Sequence, residues 1–285
     1  MSDAAGLQQF VSAMGEMARG IITPSIPPVW ERHLLDSGDS PRVTFTHHEY
    51  DEVEVTSIIP PLDNLIRCSF FFGPNEISAL RRLLSLHLRQ CSKFELLTTC
   101  LWRCRTIAIN PDPNEEVCML CNVNIRSKFN LPMPSGYYGN AFVFLAAMTT
   151  AKKLCQNPLG YALELVKQAK ATITEEYVKS VASLMVIRGK RLHFPAVIGS
   201  YIISDLTKSG FGDADFGWGK AVFAGPAKGT AASFFIQAKN KKGEVGTLVT
   251  ICLPAPAMER FGKELDNMLN GQPTDGKSIF ISSSM

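Results

Sequence analysis

Three stretches of the 285-residue sequence carry residue types at spacings that could do chemistry. Cys118-Met-Leu-Cys121 has the C-x-x-C spacing that suits zinc or a redox dithiol. It lies in an apolar run that reads as a strand, where residues three apart face opposite sides. No second pair stands at zinc-finger distance, so a structural role is expected and no metal. His47-His48-Glu49 has the composition of a ligand cluster. Neighbours on an extended segment point apart and the H-E-x-x-H helical spacing is absent, so solvated strand residues are expected. Asp215-Phe-Gly-Trp-Gly219 follows the glycine-rich Lys208-Ser-Gly-Phe-Gly-Asp213. Glycines open backbone conformations closed to other residues. An acid among Phe216, Val222 and Phe223 needs a partner if it is buried. The expectation is a rigid turn holding a buried charge. Gly217-x-Gly219-Lys220 lacks the G-x-x-x-x-G-K-[ST] spacing of a phosphate loop.

The elements that must position these residues can be read from local pattern. Ser2 and Asp3 stand where an N-cap would, before an apolar period of Leu7, Phe10, Val11, Met14 and Met17, which predicts a helix to about Gly20. Arg42–Val55 alternates and reads as extended, and Ser57–Leu65 reads as a linker. Cys68–Phe72 is predicted as a buried strand. Pro74 opens a helix through Leu88 as its first residue. Ser92-x-x-Glu95 is a capping-box pattern before a helix to about Arg105. A strand is predicted at Val117–Ile125, then a turn at Gly136–Asn140 and a further strand. Pro158 and Thr174 open two more helices. Strands are expected near Ile198–Ser204, Ser233–Gln237 and Gly246–Leu253, and a last helix from Ala255 to Asn270. Interleaved helices and strands imply an α/β or α+β fold.

Composition excludes several classes. With 46% hydrophobic residues, 19% charged and a formal charge of +3, the chain has too much core and too little charge for disorder. No basic cluster offers a footprint for nucleic acid. The longest apolar runs, such as Ala141–Met148, reach eight residues, far short of the roughly 20 of a membrane span. The eight cysteines are expected as free, mostly buried thiols of a reducing compartment. Localisation is expected in the cytoplasm. Ser283-Ser-Met285 resembles a peroxisomal tripeptide only loosely, since it lacks the basic middle residue.

The D-F-G-W-G run at 215–219 resembles the signature of the plant BAHD acyltransferases, which move acyl groups from acyl-CoA to alcohols or amines. The resemblance covers essentially the whole chain. Gly136-Tyr-Tyr-Gly-Asn140 is similar to that family's G-Y-[FY]-G-N segment, and Asn124-Ile-Arg126 to a strand ending in Arg. Pro28-Val-Trp30, His47-His-Glu-Tyr-Asp51, Ser69-Phe-Phe-Phe-Gly-Pro74 and Asn157–Val166 look most like the benzyl alcohol O-benzoyltransferase group, which fruit-ester alcohol acyltransferases share.

This resemblance implies a chloramphenicol-acetyltransferase-like fold of two domains with the active-site channel between them. Acyl-CoA is the implied co-substrate, with no permanently bound cofactor, a small alcohol as acceptor and a monomeric parent. The implied motif H-x-x-x-D aligns its acid with Asp3, and its His would stand two positions before Met1. The chain is therefore expected to be an N-terminally shortened form. Residues 1–40 would be the remnant of a first domain, 41–66 a crossover and 67–285 the second domain. An inactive product, at most a binding protein, is the alternative expectation. The implied motif residues are Asp3 and Asp215, both labelled catalytic by motif. Asp3 is expected to act through an ion pair, and Asp215 to pair with Arg126 in a largely buried bridge. Phe216, Gly217, Trp218 and Gly219 would be structural, and Tyr138, Asn140 and Ser204 are pocket candidates. Relatives carry a longer Gly-rich insert where only Thr230-Ala-Ala232 stand here.

Overall fold

The structure, a computed structural model, describes residues 2–50, 65–129, 133–189, 199–226 and 232–271. The linker read at Ser57–Leu65, most of the shortened insert at 230–232 and the C-terminal tripeptide lie wholly or largely outside them.

Asp3 caps α1 (Ala4–Ala18), its carboxylate accepting from the Gly6 N–H at 3.1 Å. Strand β1 (Leu65–Phe72) leads through Gly73 into α2 (Pro74–Arg82), where Glu76 reaches back to the Gly73 N–H at 2.8 Å. The expected continuation of α2 to Leu88 is interrupted. Arg89 turns back and donates to the carbonyls of Leu84 and Arg82, and a short 3₁₀ turn (Leu86–Leu88) replaces the last helical turn. Leu84 and Leu88 stay buried all the same, which is why their spacing read as one helix.

The long helix α3 (Lys93–Ile109) begins at the expected capping box. Ser92 accepts from the Glu95 N–H and Glu95 from the Ser92 N–H. Lys170 reaches the same carboxylate at 2.8 Å. Burial alone would raise the Glu95 pKa, but these bonds outweigh it and hold it below the usual range. The helix is apolar nearly all round, as a core helix must be. Leu96, Leu97, Cys100, Leu101, Trp102, Cys104 and Ala108 are all buried. Burying a large apolar side chain contributes about 1.5–3 kcal/mol.

The chain then runs through β2 (Glu116–Asn124), β3 (Phe142–Thr150), α4 (Ala151–Gln156), α5 (Leu159–Ala171) and α6 (Glu175–Arg188). The short α4 went unread; Thr150 caps it by accepting from the Lys153 N–H at 3.4 Å. Next come β4 (Ser200–Asp205), β5 (Ser233–Lys239), β6 (Val245–Pro254) and α7 (Ala255–Asn270), which Gly271 closes in the left-handed conformation. The six strands form one mixed sheet in the order β1-β6-β5-β4-β2-β3. β2, β4 and β5 run parallel, and the pairs β1–β6, β5–β6 and β2–β3 are antiparallel. Helix α3 packs against α2, α4, α5, α7 and β4. The α/β reading holds, with helices over a mixed sheet.

Arg42–Tyr50 departs from expectation. It has no strand, and His48–Tyr50 form a 3₁₀ turn. The alternating pattern arises because the segment is pinned to α6 by side chains, as described below.

Cys118 and Cys121 lie on β2 as expected. Burial, reinforced for Cys118 by nearby Glu49 and for Cys121 by Asp205, pushes both thiols up to about 12. All eight cysteines are free, and four of them are buried. Among the described residues no helix is long and apolar enough to cross a membrane, and no group of three or more His, Cys, Asp or Glu could hold a metal ion.

Candidate functional site

Of the residues that sequence reasoning singled out, Asp3, Arg126 and the Gly136–Asn140 turn meet at the N-terminus of α1. Arg126, just past the end of β2, grips Asp3 with two parallel bonds: Nη1 to Oδ2 at 2.6 Å and Nη2 to Oδ1 at 2.9 Å. The Ala141 N–H donates to Asp3 Oδ2 at 2.9 Å, and the Gly6 N–H to Oδ1. Burial alone would raise the Asp3 pKa. The Arg126 bonds and the two backbone donors outweigh it and hold the carboxyl below its usual range. A planar guanidinium matching both carboxylate oxygens is a strong and directional contact.

Arg126 also donates to the carbonyls of Gly139, at 2.6 Å, and Tyr137, at 3.3 Å. It therefore fastens the Gly136–Asn140 turn to the head of α1. Residues 28–30 hold the other side of that turn. Val29 donates to the Gly136 carbonyl at 2.9 Å, and the Trp30 ring stacks on Tyr138 with centroids 4.8 Å apart. Ser2 Oγ donates to the Tyr138 carbonyl at 2.8 Å. Of the pocket candidates, Tyr138 and Asn140 lie in this turn, Tyr138 half-buried and Asn140 exposed. Ser204 sits apart, on β4 opposite Phe234 of β5, and joins none of the bonds around Asp3.

The expected Asp215–Arg126 ion pair does not form, because Asp3 occupies Arg126. Asp215 lies at the surface, where its carboxylate accepts from the N–H groups of Gly217, at 2.8 Å, and Gly219, at 3.0 Å. These two backbone bonds hold its pKa below the usual range, which makes it a poor proton acceptor. Both glycines have φ above +100°, a region closed to L side chains, so the acid-closed turn requires glycine at 217 and 219. Phe216 is half-buried, but Trp218 is 94% exposed, and Val222 and Phe223 also point outward. The apolar neighbours in sequence misled: they do not enclose the acid.

Helix α1 ties the two regions together through glycine. A Cβ on Gly6 would fall 2.1 Å from the Tyr138 carbonyl oxygen, and one on Gly15 would fall 2.6 Å from that of Asp215. Arg19 donates to the same Asp215 carbonyl. The helix thus lies with its glycine edge inward and its apolar stripe outward: Leu7, Phe10, Met14 and Met17 are all exposed.

A model of the transferase family matches residues 1–268. The chain belongs to that family. It is the BAHD acyltransferase family that the 215–219 and 136–140 motifs resemble. The sequence is 60% identical to benzyl alcohol O-benzoyltransferase of Petunia hybrida over 99% of this chain and 63% of that protein. It is 62% identical to benzyl alcohol O-benzoyltransferase of Nicotiana tabacum over 99% of this chain and 62% of that protein. Alcohol acyl transferase 2 of Malus domestica is 52% identical over 94% of this chain and 60% of its own length. The chain thus spans less than two thirds of the length of the curated relatives it matches. Vinorine synthase shares the BAHD fold with a TM-score of 0.65 at 18% identity, covering 94% of this chain and 60% of that one. TRI101 of F. sporotrichioides, complexed with coenzyme A and T-2, gives 0.63 at 17% identity over 91% of this chain and 62% of that one.

Sequence reasoning missed the partner of Asp3, which lies 123 residues away, and a buried cluster around His47. The signal for the first was present: an N-cap acid with two oxygens, and an Arg at a strand end.

Proposed function

We propose that the whole protein transfers an acyl group, benzoyl or a close relative, from acyl-CoA to an alcohol such as benzyl alcohol and forms an ester. The observation that carries this reading is the identity of 60% and 62% with two benzyl alcohol O-benzoyltransferases across 99% of this chain. The coenzyme A held by the similarly folded TRI101 is consistent with the proposed donor.

In the mechanism implied by membership of the family, a histidine takes the acceptor hydroxyl proton. The alcohol oxygen attacks the thioester carbonyl, and the tetrahedral oxyanion needs hydrogen-bond donors. The C–S bond then breaks, and the CoA thiolate leaves and takes up the proton. No acyl-enzyme forms, so none of the cysteines needs a catalytic role. Asp3 does not touch the reacting atoms. It is a positioning residue: it caps α1 and binds Arg126, which fixes the chain around the motif. Asp215 closes its own turn and is structural.

The motif position for the base falls two residues before Met1 of the numbered sequence. The 285 residues alone are therefore expected to form no ester, since losing a general base costs about 10²–10⁴-fold. The test incubates the purified chain with benzoyl-CoA and benzyl alcohol and measures benzyl benzoate together with released thiol. Turnover near that of the petunia relative would place the base among the residues in hand and undo the motif alignment.

A further inference from the structure

The buried cluster around His47 lies outside the Asp3 site, and the proposed acyl transfer does not use it. His47 and Glu49 are each only 4% exposed, and Ser180 on α6 is buried with them. His47 Nε2 lies 2.8 Å from Ser180 Oγ, and His47 Nδ1 lies 2.9 Å from Glu49 Oε1. Tyr177, one turn before Ser180, donates its hydroxyl to the same Glu49 oxygen. Two backbone groups complete the arrangement: the N–H of Thr44 donates to Ser180 Oγ at 3.0 Å, and that of Phe45 at 3.2 Å.

Counting donors fixes the protons. A hydroxyl oxygen has two lone pairs and one hydrogen. Thr44 and Phe45 fill the lone pairs of Ser180 Oγ, so its hydrogen points at His47 Nε2, which must be the unprotonated nitrogen. The ring proton then sits on Nδ1 and is donated to Glu49. A second ring proton would arrive at Nε2, facing an oxygen with no lone pair left, and one of the three donors would lose its acceptor. The Glu49 carboxylate would attract the imidazolium, but from the Nδ1 side, and it gives Nε2 no acceptor. Leaving a buried donor unsatisfied costs as much as a lost hydrogen bond or more.

Among the described residues, the groups around His47 come from its own segment, α6, β2 and β3, where the Phe144 carbonyl lies 3.2 Å from the Tyr177 hydroxyl. Its own segment supplies Glu49 and Tyr50, whose ring centroid lies 6.3 Å from that of His47. Helix α6 supplies Ser180 and Tyr177, whose ring stands edge-on to His47 at 4.9 Å. Arg188, also on α6, donates to the Tyr50 carbonyl at 2.7 Å. Cys118 of β2 lies within the electrostatic reach of Glu49. Among the described residues, the partner of His47 Nε2 is Ser180 Oγ.

We propose that Ser180, His47 and Glu49 form a buried clasp that holds residues 44–50 on α6 while His47 is neutral and releases them when His47 is protonated. It is a conformational device sensitive to acid, independent of the acyl-transfer reading. The geometry is that of a Ser-His-carboxylate relay, but the serine oxygen is fully occupied and buried, so it holds structure and does no nucleophilic work.

The test is amide exchange of the 44–50 segment at about pH 8 and about pH 5.5, the interval in which imidazoles ordinarily change charge, corrected for intrinsic rates. Protection of the Thr44 and Phe45 amides should fall at least about tenfold at the lower pH, as for one lost bond to a buried acceptor. In His47→Gln, which cannot take a charge, protection should be the same at both values. Equal wild-type protection at both values, or the same fall in His47→Gln, overturns the proposal. The second arm needs no variant: nitrogen NMR of the labelled wild-type imidazole at about pH 8 should show the Nδ1–H tautomer. An Nε2–H tautomer would contradict the donor count on which the clasp rests.

Discussion

Asp3 and Arg126, 123 residues apart in sequence, meet in a two-pronged ion pair with N···O distances of 2.6 and 2.9 Å. The acid that begins α1 is thus also the anchor of the strand end and of the Gly136–Asn140 turn. One carboxylate spends all of its accepting capacity on structure, with two bonds from Arg126 and one each from Gly6 and Ala141.

Replacing Asp3 with Ala strands the Arg126 charge in a mostly buried place and removes the helix cap. The expected loss of stability is about 3 kcal/mol, moderated because Arg126 keeps its carbonyl partners. Urea denaturation of Asp3→Ala against wild type measures it. The pH dependence has a definite sign. The folded-state pKa of Asp3 lies below its unfolded value, so the pair's contribution is complete above the unfolded carboxylate value of about 3.9 and is lost as pH falls through the lower folded value. Asp3→Asn should therefore lose stability at neutral pH and show a flatter acid limb than wild type.

Asp215→Ala should behave differently. The carboxylate is at the surface and its two donors, the Gly217 and Gly219 N–H groups, can turn to water. The urea midpoint should hardly move, while amide exchange at 217–219 should quicken. A destabilisation matching that of Asp3→Ala would mean that Asp215 also carries a buried interaction.

Gly6→Ala tests how α1 is seated. The new methyl would lie 2.1 Å from the Tyr138 carbonyl, against backbone that cannot swing aside. Overpacking of this kind costs about 1–3 kcal/mol. Amide exchange across α1 and 136–141 should rise together, with the sheet unaffected. Unchanged exchange in both segments would show that the helix does not dock by this edge.

The outward stripe of Leu7, Phe10, Met14 and Met17 predicts self-association of the isolated 285-residue chain. Contiguous apolar surface on that scale promotes contacts between molecules. Sedimentation velocity should show oligomers at micromolar concentration, and Leu7→Glu with Phe10→Lys should shift them toward monomer. A monodisperse wild-type monomer would show that water tolerates the stripe.

Local signals were legible where the physics is local. The Asp3 cap, the Ser92–Glu95 box, Pro74 at a helix start and Gly271 at a helix end each depend on residues within four positions, and each formed as read. What failed was long-range. Arg126 was matched to Asp215 by the family resemblance, and the apolar neighbours that made Asp215 look buried say nothing about which way those side chains face. His47 and Glu49 read as solvated strand residues because their partners, Ser180 and Tyr177, lie more than 120 residues away on α6. No spacing rule links a buried hydroxyl to a histidine at that distance. The family motifs supplied the acyltransferase reading; composition and periodicity alone went no further than a mixed α/β domain.

The most direct test of the account joins this chain, at Met1, to the segment of the Petunia hybrida relative that precedes the matched region, which is expected to supply the motif's base. Benzyl benzoate formation from benzoyl-CoA and benzyl alcohol is measured for the fusion, for the 285-residue chain and for the relative itself. The account predicts ester from the fusion and from the relative, and none from the chain alone. A folded fusion that releases no CoA with any acyl donor, beside an active relative, would contradict the assignment of this chain to alcohol acylation.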